Sequence, residues 1–332
     1  MTMNRSLARN LIHAATLACA GMLLQGCAKP AAEVTEAPLV PIKVSGSYWI
    51  ELSPVLVAAN SFYPTQLTVG EGGIPRITSG EADLATNAET QLLRESIRNP
   101  DLRIIMTVTE SFYRLVGRKS AGINSMADLK GKRIMLPRMT SAHYYLVAML
   151  RSAGISEEEV TLVNLPRAEN VLASLDLMSD ALQKGDVDVI SIWEPEPEDA
   201  IHKLGDDAIV LQDRSVYREV FNLHARAPDL ADPEKRRAIV AFVRAVADAT
   251  AALKQDPEKY WPHVSSVTKY THEQIGWGWP EMEFPVQIIP DMLDVLVEEE
   301  VWVAGNMNRE PRSREELAKL IDDSVLKEAL AL

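Results

Sequence analysis

One short sequence pattern occurs twice in the chain, and it constrains the possible fold more than any other feature. The first copy runs Gly80-Glu81-Ala82-Asp83-Leu84 and the second runs Gly185-Asp186-Val187-Asp188-Val189. In each copy a glycine ends a predicted helix, because glycine reaches the left-handed backbone conformation without a side-chain clash. An acid-x-Asp turn then leads into a short apolar strand. Ligands of α/β proteins usually bind just beyond the carboxyl ends of parallel strands. The repeat therefore predicts two similar lobes that share a cleft.

The amino terminus predicts export and lipid attachment. Arg5 and Arg9 precede an apolar run at 11–24, which is too short for a comfortable membrane span. The following Leu24-Gln25-Gly26-Cys27 is similar to the bacterial lipobox, whose cysteine is lipidated. We predict a lipoprotein signal peptide at 1–26, lipidation at Cys27 and a proline-containing tether at 27–41. The protein would then be held by its lipid on the periplasmic face of a bacterial membrane. The alternative is an ordinary cleaved signal with an incidental cysteine.

The charge balance argues against nucleic acid as a partner. The chain carries 34 basic and 47 acidic side chains, for a net charge of −13. The predicted signal holds two of the basic residues and no acidic one, so the mature chain would have 32 against 47, or −15. Binding to nucleic acid requires clustered Lys and Arg side chains. Disulfides are not expected either, because the mature chain would contain no cysteine besides Cys27.

Sequence signals of catalysis are weak. The histidines beyond the signal are scattered and show no HExxH spacing, and the chain has no glycine-serine-glycine elbow. Gly70-Glu71-Gly72-Gly73 lacks the Lys-Ser/Thr that follows in a phosphate-binding loop. We therefore predict that the protein is not an enzyme and uses neither a cofactor nor a metal ion.

Predicted strands and helices alternate from the tether to about residue 225. Strands are predicted at 42–45, 66–69, 102–108, 112–117, 133–136, 160–163, 187–192 and 221–225, and helices at 54–60, 74–79, 89–98, 141–152 and 168–184. This alternation is typical of parallel sheets in α/β lobes. The remainder is predicted to be nearly all helical, beginning with a long helix after Asp232-Pro233 whose apolar face includes Ile239 and Phe242.

Several motifs in a fixed order resemble one protein family. They are Asp128-Leu129-Lys130-Gly131-Lys132-Arg133-Ile134, Pro137 with Thr140-Ser141-Ala142, Val160-Thr161-Leu162-Val163-Asn164-Leu165-Pro166, Gly185-Asp186-Val187-Asp188, and Trp193-Glu194-Pro195. This order resembles the periplasmic solute-binding proteins of ABC importers in the nitrate, sulfonate, taurine and thiamine-precursor group. The likeness runs from about Pro41 to the carboxyl terminus.

The resemblance implies an α/β, two-lobe periplasmic binding protein fold (type II) with two crossover strands and a helical C-terminal part. The crossovers would lie near 112–117 and 220–226. Lobe one would comprise 42–117 plus 221–332, and lobe two 118–220. The implied partners are a small-molecule ligand and an ABC permease, and the protein would be a monomer.

Candidate ligand-binding residues follow the predicted strands. Tyr48 and Trp49 follow the first strand, and their flat faces suit a planar ligand. Thr140 and Ser141 open a helix whose free N–H groups suit an anion, although ordinary capping explains them too. Glu89 is either a ligand contact or a residue favoured by the helix dipole, whereas Glu196 and Glu198 are expected at a solvated helix start. The full predicted set is Tyr48, Trp49, Asn87, Glu89, Thr140, Ser141, Trp193 and Glu194.

The sequence leaves the ligand class open. Thr140 and Ser141 would suit a sulfonate or nitrate, whereas Glu51, Glu89, Glu110 and Glu194 favour N–H donors or positive charge. Together with the aromatic residues, these acids favour a planar aminopyrimidine-like or cationic compound. The alternatives are a sulfonate or nitrate ligand, a ligand sensor without a transporter, and an enzyme similar to eukaryotic pyrimidine synthases, which share the implied fold.

Overall fold

The structure is a computed structural model that describes residues 38–65 and 67–332. The predicted signal peptide, Cys27 and the tether as far as residue 37 lie outside the described residues. At the end of the predicted tether, Leu39 and Val40 pack partly against an apolar core. Within the described ranges, no helix combines the length and the apolar character needed to cross a membrane.

Eleven strands and thirteen α-helices are found in the described residues. The strands are β1 Val44–Gly46, β2 Val69–Glu71, β3 Leu84–Ala88, β4 Leu102–Ser111, β5 Arg114–Arg118, β6 Arg133–Leu136, β7 Thr161–Asn164, β8 Val189–Ile192, β9 Ala208–Leu211, β10 Glu219–Arg226 and β11 Met282–Glu283. The helices are α1 Ser53–Val57, α2 Ile74–Thr78, α3 Glu89–Glu95, α4 Ser141–Ser152, α5 Val171–Lys184, α6 Glu196–Leu204, α7 Ala227–Ala231, α8 Pro233–Gln255, α9 Trp261–Thr268, α10 His272–Gly278, α11 Met292–Asn306, α12 Arg314–Ala318 and α13 Ser324–Leu330.

The strands form two mixed sheets. The first has the order β11-β4-β10-β3-β1-β2, and the second has the order β7-β6-β8-β5-β9. The pairs β1–β2, β1–β3, β6–β7 and β6–β8 are parallel, as the alternation of strands and helices predicts. The prediction of parallel sheets was incomplete, because β10 runs antiparallel to β3 and β4, and β5 runs antiparallel to β8 and β9. These antiparallel strands flank the two points where the chain passes between the sheets.

The chain crosses between the sheets at residues 112–113 and 212–218, which join β4 to β5 and β9 to β10. Hydrogen bonding places residues 114–117 in the second sheet and residues 219–220 in the first. The sequence had assigned both stretches to the opposite lobes. We therefore propose lobe boundaries at these two crossovers, with residues 39–111 and 219–332 forming the first lobe and 114–211 the second.

The chain after β10 is helical, as expected, except for the two-residue strand β11. Its longest helix, α8, begins after Asp232, whose carboxylate accepts hydrogen bonds from the backbone N–H groups of Glu234 and Lys235. The predicted apolar face of α8 is buried, with Ile239 and Phe242 at 0% exposure. The α/β fold class with a helical C-terminal part is thus confirmed.

The two copies of the repeated pattern have the same local structure. Gly80 and Gly185 both adopt the left-handed conformation, with φ of 79° and 82°. The Asp83 carboxylate accepts a hydrogen bond from the N–H of Lys43 at 2.8 Å, and that of Asp188 accepts one from the N–H of Arg133 at 2.9 Å. In each sheet the aspartate therefore ties the start of one strand to its parallel neighbour.

We predict that Asp188→Ala lowers the free energy of unfolding by about 2 kcal/mol, because the carboxylate also binds the guanidinium groups of Arg133 and Arg118. Asp186→Ala, two residues earlier and exposed, serves as the matched control and should change stability by less than about 0.5 kcal/mol. Urea unfolding of both variants gives the comparison. Equal losses in the two variants would contradict the structural role of the repeat.

Candidate ligand site between the lobes

The predicted ligand residues Trp49 and Trp193 meet where the two lobes touch. Trp49 lies between β1 and a short 3₁₀ helix at 50–52, whereas Trp193 follows β8 directly. Their ring centroids lie 5.1 Å apart, with an angle of 51° between the ring planes. The indole N–H of Trp193 is buried and has no hydrogen-bond partner. One strand end from each sheet thus contributes one ring to a shared contact.

Tyr48 and Trp49 line a cavity of about 480 Å³ between the lobes, called the cleft cavity below. The first lobe contributes residues 47–49, 71–72 and 267–269, and the second contributes Asn170–Leu172. The Tyr48 hydroxyl donates a hydrogen bond to the carbonyl oxygen of Val69 at 2.9 Å, which fixes the ring at the cavity wall. The cavity is large enough for a small organic molecule.

Glu194, predicted to contact a ligand, is bound by a guanidinium group of its own lobe. Its carboxylate oxygens accept hydrogen bonds from Arg114 Nε at 2.7 Å and Nη2 at 2.8 Å. Arg114 Nη1 also donates to Glu198 at 2.7 Å. Bidentate pairing of this kind fixes the geometry of both groups. A ligand contact by Glu194 stays a prediction, and the geometry gives its carboxylate a partner before any ligand binds.

The first lobe approaches Glu194 closely at Gly278, the last residue of α10. A Cβ atom at this position would lie 2.9 Å from Cβ of Glu194 and 3.1 Å from Cδ1 of Ile50. The adjacent Trp277 packs its ring on His202 of the second lobe, with centroids 4.5 Å apart. Glycine is therefore required at position 278 for the lobes to meet in this way.

Thr140 and Ser141 lie at the amino-terminal end of α4, and their hydroxyl groups are already hydrogen-bonded within the chain. The Thr140 hydroxyl donates to the carbonyl oxygen of Pro137 at 2.7 Å. The Ser141 hydroxyl donates to a carboxylate oxygen of Glu219 at 3.1 Å and lies 3.0 Å from the Tyr113 hydroxyl. An anion at this helix end would consequently meet the carboxyl group of Glu219.

Asn87 and Glu89 do not line the cleft cavity. The side-chain carbonyl of Asn87 accepts a hydrogen bond from the N–H of Ala88 at 2.9 Å. Glu89 is fully buried and accepts hydrogen bonds from the Tyr217 hydroxyl at 2.6 Å and the N–H of Val220 at 2.8 Å. Glu89 is therefore engaged by the second crossover and the strand that follows it.

Four glutamates from both lobes are buried together near the Trp49–Trp193 contact, and we call them the acidic cluster: Glu51, Glu194, Glu196 and Glu219. Glu51 interacts electrostatically with Glu194, Glu196 and Glu219. One carboxylate oxygen of each of Glu51, Glu196 and Glu219 has no hydrogen-bond partner. In residues 38–65 and 67–332, Arg114 is the only basic side chain that is hydrogen-bonded to a member of the cluster.

Burial raises the pKa values of the acidic cluster. It raises the pKa of Glu51 to about 8, with the Glu194 carboxylate adding to the effect. It raises the pKa of Glu196 to about 8, although a hydrogen bond from Tyr270 opposes the change. It raises the pKa of Glu194 to about 7 against the opposing guanidinium group of Arg114. The cluster therefore holds protons near neutral pH unless a ligand supplies positive charge.

Sequence reasoning missed three features of this site. Arg114 was read only as part of the predicted strand at 112–117, although a charged residue inside an apolar strand was an available signal, and Glu219, just before the predicted crossover at 220–226, was not singled out. Glu196, expected at a solvated helix start, is in fact 7% exposed, because Tyr270 of the first lobe covers it and donates a hydrogen bond to it at 3.0 Å. Such burial depends on contact between the lobes and is invisible in local sequence.

Comparison with known proteins identifies the family. Residues 70–260, more than half of the chain, match the family described as NMT1/THI5 like. The chain therefore belongs to this family, and the resemblance drawn from the sequence is confirmed.

Individual relatives agree with this assignment. The chain is 25% identical over 223 residues to the taurine-binding periplasmic protein of Escherichia coli (strain K12), and the match covers 65% of this chain and 64% of that protein. The periplasmic aliphatic sulphonate binding protein SsuA of Escherichia coli has a similar structure, with a TM-score of 0.69, 16% identity and coverage of 88% of this chain and 100% of that chain. The desulfurization enzyme DSZB also shares the fold, with a TM-score of 0.64, 15% identity and coverage of 88% and 99%. Binding proteins and an enzyme thus have the same fold.

We predict that the ligand-free protein loses stability as the pH rises from 5 to 8. Burial gives Glu51, Glu194 and Glu196 folded-state pKa values of about 7 to 8 against an ordinary 4.5, so the folded state holds protons that the unfolded state has lost. This stabilisation is complete below about pH 4.5 and disappears as the pH rises through 8. In thermal melts, Glu51→Gln should reduce the change of melting temperature with pH. The exposed control Glu315→Gln should show the same change with pH as the wild type. Equal slopes in all three proteins would contradict the assignment.

Proposed function

We propose that the protein is an extracytoplasmic solute-binding protein that captures a small molecule between its lobes and delivers it to an ABC permease. Membership of the NMT1/THI5-like family supports the proposal, as do the names of the binding proteins that it resembles. The observation that carries the proposal is the junction of the lobes, where aromatic rings and unpartnered polar groups from both lobes face one another. Ligand binding would shift the lobes toward closure by stabilising the closed form.

The ligand that fits this junction carries N–H donors or positive charge. Glu51 contributes a buried carboxylate oxygen without a partner, and Glu219 contributes another from the start of β10. Buried carboxylates are costly unless they are protonated or paired. A donor-rich or cationic ligand would supply the missing partner, and opening of the lobes would give it access to Glu51.

A planar aminopyrimidine-like compound fits both the aromatic rings and the buried carboxyl groups of the junction. Trp49 and Trp193 offer faces for stacking, and the free indole N–H of Trp193 offers one donor. With its pKa raised to about 8 by burial, Glu51 can be protonated near neutral pH. Its O–H would then donate to a ring nitrogen while its carbonyl oxygen accepts from the exocyclic amine. A deprotonated Glu51 would bind the protonated ligand equally well.

A sulfonate or nitrate ligand is the alternative that the relatives favour, because the proteins compared above are named for taurine and sulfonates. The described residues at the junction oppose it. The guanidinium group of Arg114 is bound to Glu194 and Glu198, and the Ser141 hydroxyl is directed to Glu219. An anion would have to displace these carboxylates from their partners. Repulsion from the neighbouring acids would further raise the free-energy cost of binding it.

Binding is favoured over catalysis at this junction. The hydroxyl groups beside Glu219 belong to Ser141, which donates a hydrogen bond to its carboxylate, and to Tyr113, which is hydrogen-bonded to Ser141. Burial, together with the neighbouring Glu219 and Glu51, raises the pKa of Tyr113 well above its usual value. The Tyr113 hydroxyl is therefore not activated as a nucleophile, since activation of a phenol requires a lowered pKa.

The ligand class is tested by tryptophan fluorescence during titration with 4-aminopyrimidine and, in parallel, with taurine. We predict quenching by 4-aminopyrimidine, because the ligand would stack against Trp49 and Trp193, and binding at least tenfold weaker in Glu51→Gln. The control Glu315→Gln should bind as the wild type does. Quenching by taurine alone would keep the solute-binding function and reject the cationic or donor-rich ligand. A response to neither compound, with a product formed from a candidate substrate, would reject the binding function itself.

Lipid attachment at Cys27 is part of the proposal. We predict that the wild-type protein is found in the membrane fraction of its host and that Cys27→Ser moves it to the soluble extracytoplasmic fraction, because a single diacylated cysteine anchors the chain. Cell fractionation with immunoblotting measures the distribution. A wild-type protein that is already soluble, with the same distribution as the variant, would favour an ordinary cleaved signal.

A further inference from the structure

A second cavity lies on the side of the molecule where the chain crosses between the sheets. Its volume is about 230 Å³, and it is lined by Tyr144 of α4, residues 214–218 of the second crossover, and a face of α11 that includes Glu298 and Glu299. We call it the hinge-side cavity. It shares no lining residue with the cleft cavity. Its volume is several times the roughly 30 Å³ that one water molecule occupies in the liquid.

Two buried polar groups line the hinge-side cavity, and both have carboxyl groups as neighbours. Glu299 is 1% exposed, and no N–H or hydroxyl group of the described chain donates to its carboxylate oxygens, whose polar neighbour is the carboxyl group of Glu89. Tyr144 is 2% exposed, and its hydroxyl group has the carboxylate of Glu298 as its polar neighbour. Neighbouring buried carboxyl groups cannot all be ionised without a counter-charge, so this arrangement calls for protons or a cationic occupant.

The basic side chains around the hinge-side cavity are already neutralised. Arg218 binds Glu110 and donates to both carboxylate oxygens of Asp291 at 2.8 and 2.9 Å. Arg214 donates to Glu281 at 2.7 Å, and its guanidinium group lies 4.5 Å from the centre of the Phe112 ring. Neither guanidinium group is left to balance Glu299.

The charge behind the hinge-side cavity is uniformly acidic. Glu299 interacts electrostatically with Glu89, Glu298 and Glu219. Glu89 and Glu219 accept their hydrogen bonds from hydroxyl groups and a backbone N–H. Among the described residues, no Lys, Arg or His side chain forms an ion pair with Glu89, Glu219 or Glu299. This concentration of buried acid favours a positively charged occupant.

Aromatic rings indicate which kind of cation fits. Tyr144 and Tyr217 both line the hinge-side cavity, and their ring centroids lie 5.6 Å apart at an angle of 70°. Ring faces attract organic ammonium groups, whereas metal ions require several ligand atoms around one point. In the described residues, no group of three or more His, Cys, Asp or Glu side chains is arranged to hold a metal ion.

We propose that the hinge-side cavity binds a small organic ammonium ion, with the Glu299 carboxylate and the Tyr144 hydroxyl as its polar partners and the rings of Tyr144 and Tyr217 as its walls. The ion would contact α4 of the second lobe, the crossover and α11 of the first lobe. Its binding would therefore stabilise the lobe arrangement seen here, whatever ligand occupies the cleft.

The proposal is tested with methylammonium chloride as the probe and sodium chloride at equal ionic strength as the reference. We expect methylammonium to raise the melting temperature of the wild-type protein beyond the effect of sodium, because it binds only the folded state. Glu299→Gln should remove this difference, and Tyr144→Phe, which deletes only the hydroxyl, should weaken methylammonium binding several-fold. Glu315→Gln should respond as the wild type does.

A cleft variant separates this site from the cleft. Glu51→Gln should retain the full methylammonium response, and Glu299→Gln should retain cleft-ligand binding. If Glu51→Gln loses the response while Glu299→Gln keeps it, methylammonium binds in the cleft and the hinge-side proposal is wrong. The absence of any methylammonium effect beyond that of sodium would also overturn it, because protons alone would then neutralise Glu299.

Discussion

The structure depends on the burial of six glutamates where the lobes and crossovers meet: Glu51, Glu89, Glu194, Glu196, Glu219 and Glu299. Only Glu194 has a basic partner within the described chain, the guanidinium group of Arg114. Burying a carboxyl group without a counter-charge is unfavourable unless the group takes up a proton or meets a cation. The arrangement of the lobes seen here therefore requires protonation or a positively charged occupant, and this requirement links the packing of the lobes to ligand chemistry.

The two halves of this acidic interior differ in what surrounds them. Around Glu51, one tryptophan from each lobe provides flat apolar surface beside a cavity that opens between the lobes. Around Glu299, tyrosines and the second crossover line a smaller cavity that shares no residue with the cleft cavity. A ligand in the cleft cavity would join the strand ends of the two lobes. An ion in the second would hold α4, α11 and the crossover together.

Local sequence predicted much of the fold, and the reason is physical. The glycine and aspartate of the repeated pattern act within a few residues and across one strand pair, so Gly80, Gly185, Asp83 and Asp188 have their expected conformations or equivalent contacts. The predicted lobe boundaries stay predictions, and the strand-like sequence of residues 114–117 does not reveal which sheet they join. Trp49 and Trp193 do meet at the junction. The pairing of Arg114 with Glu194 and the burial of Glu196 under Tyr270 could not be predicted, since both depend on contacts between distant segments.

The proposed ligand of the cleft is a donor-rich or cationic molecule. Purification of the protein from its host without added ligand, followed by denaturation and mass spectrometry in both ion modes, would identify the small molecules that the protein releases. We expect a near-stoichiometric nitrogen-containing compound that is planar or positively charged. A near-stoichiometric sulfonate would contradict it, because that anion would have to lie against the buried carboxylates of Glu51 and Glu219.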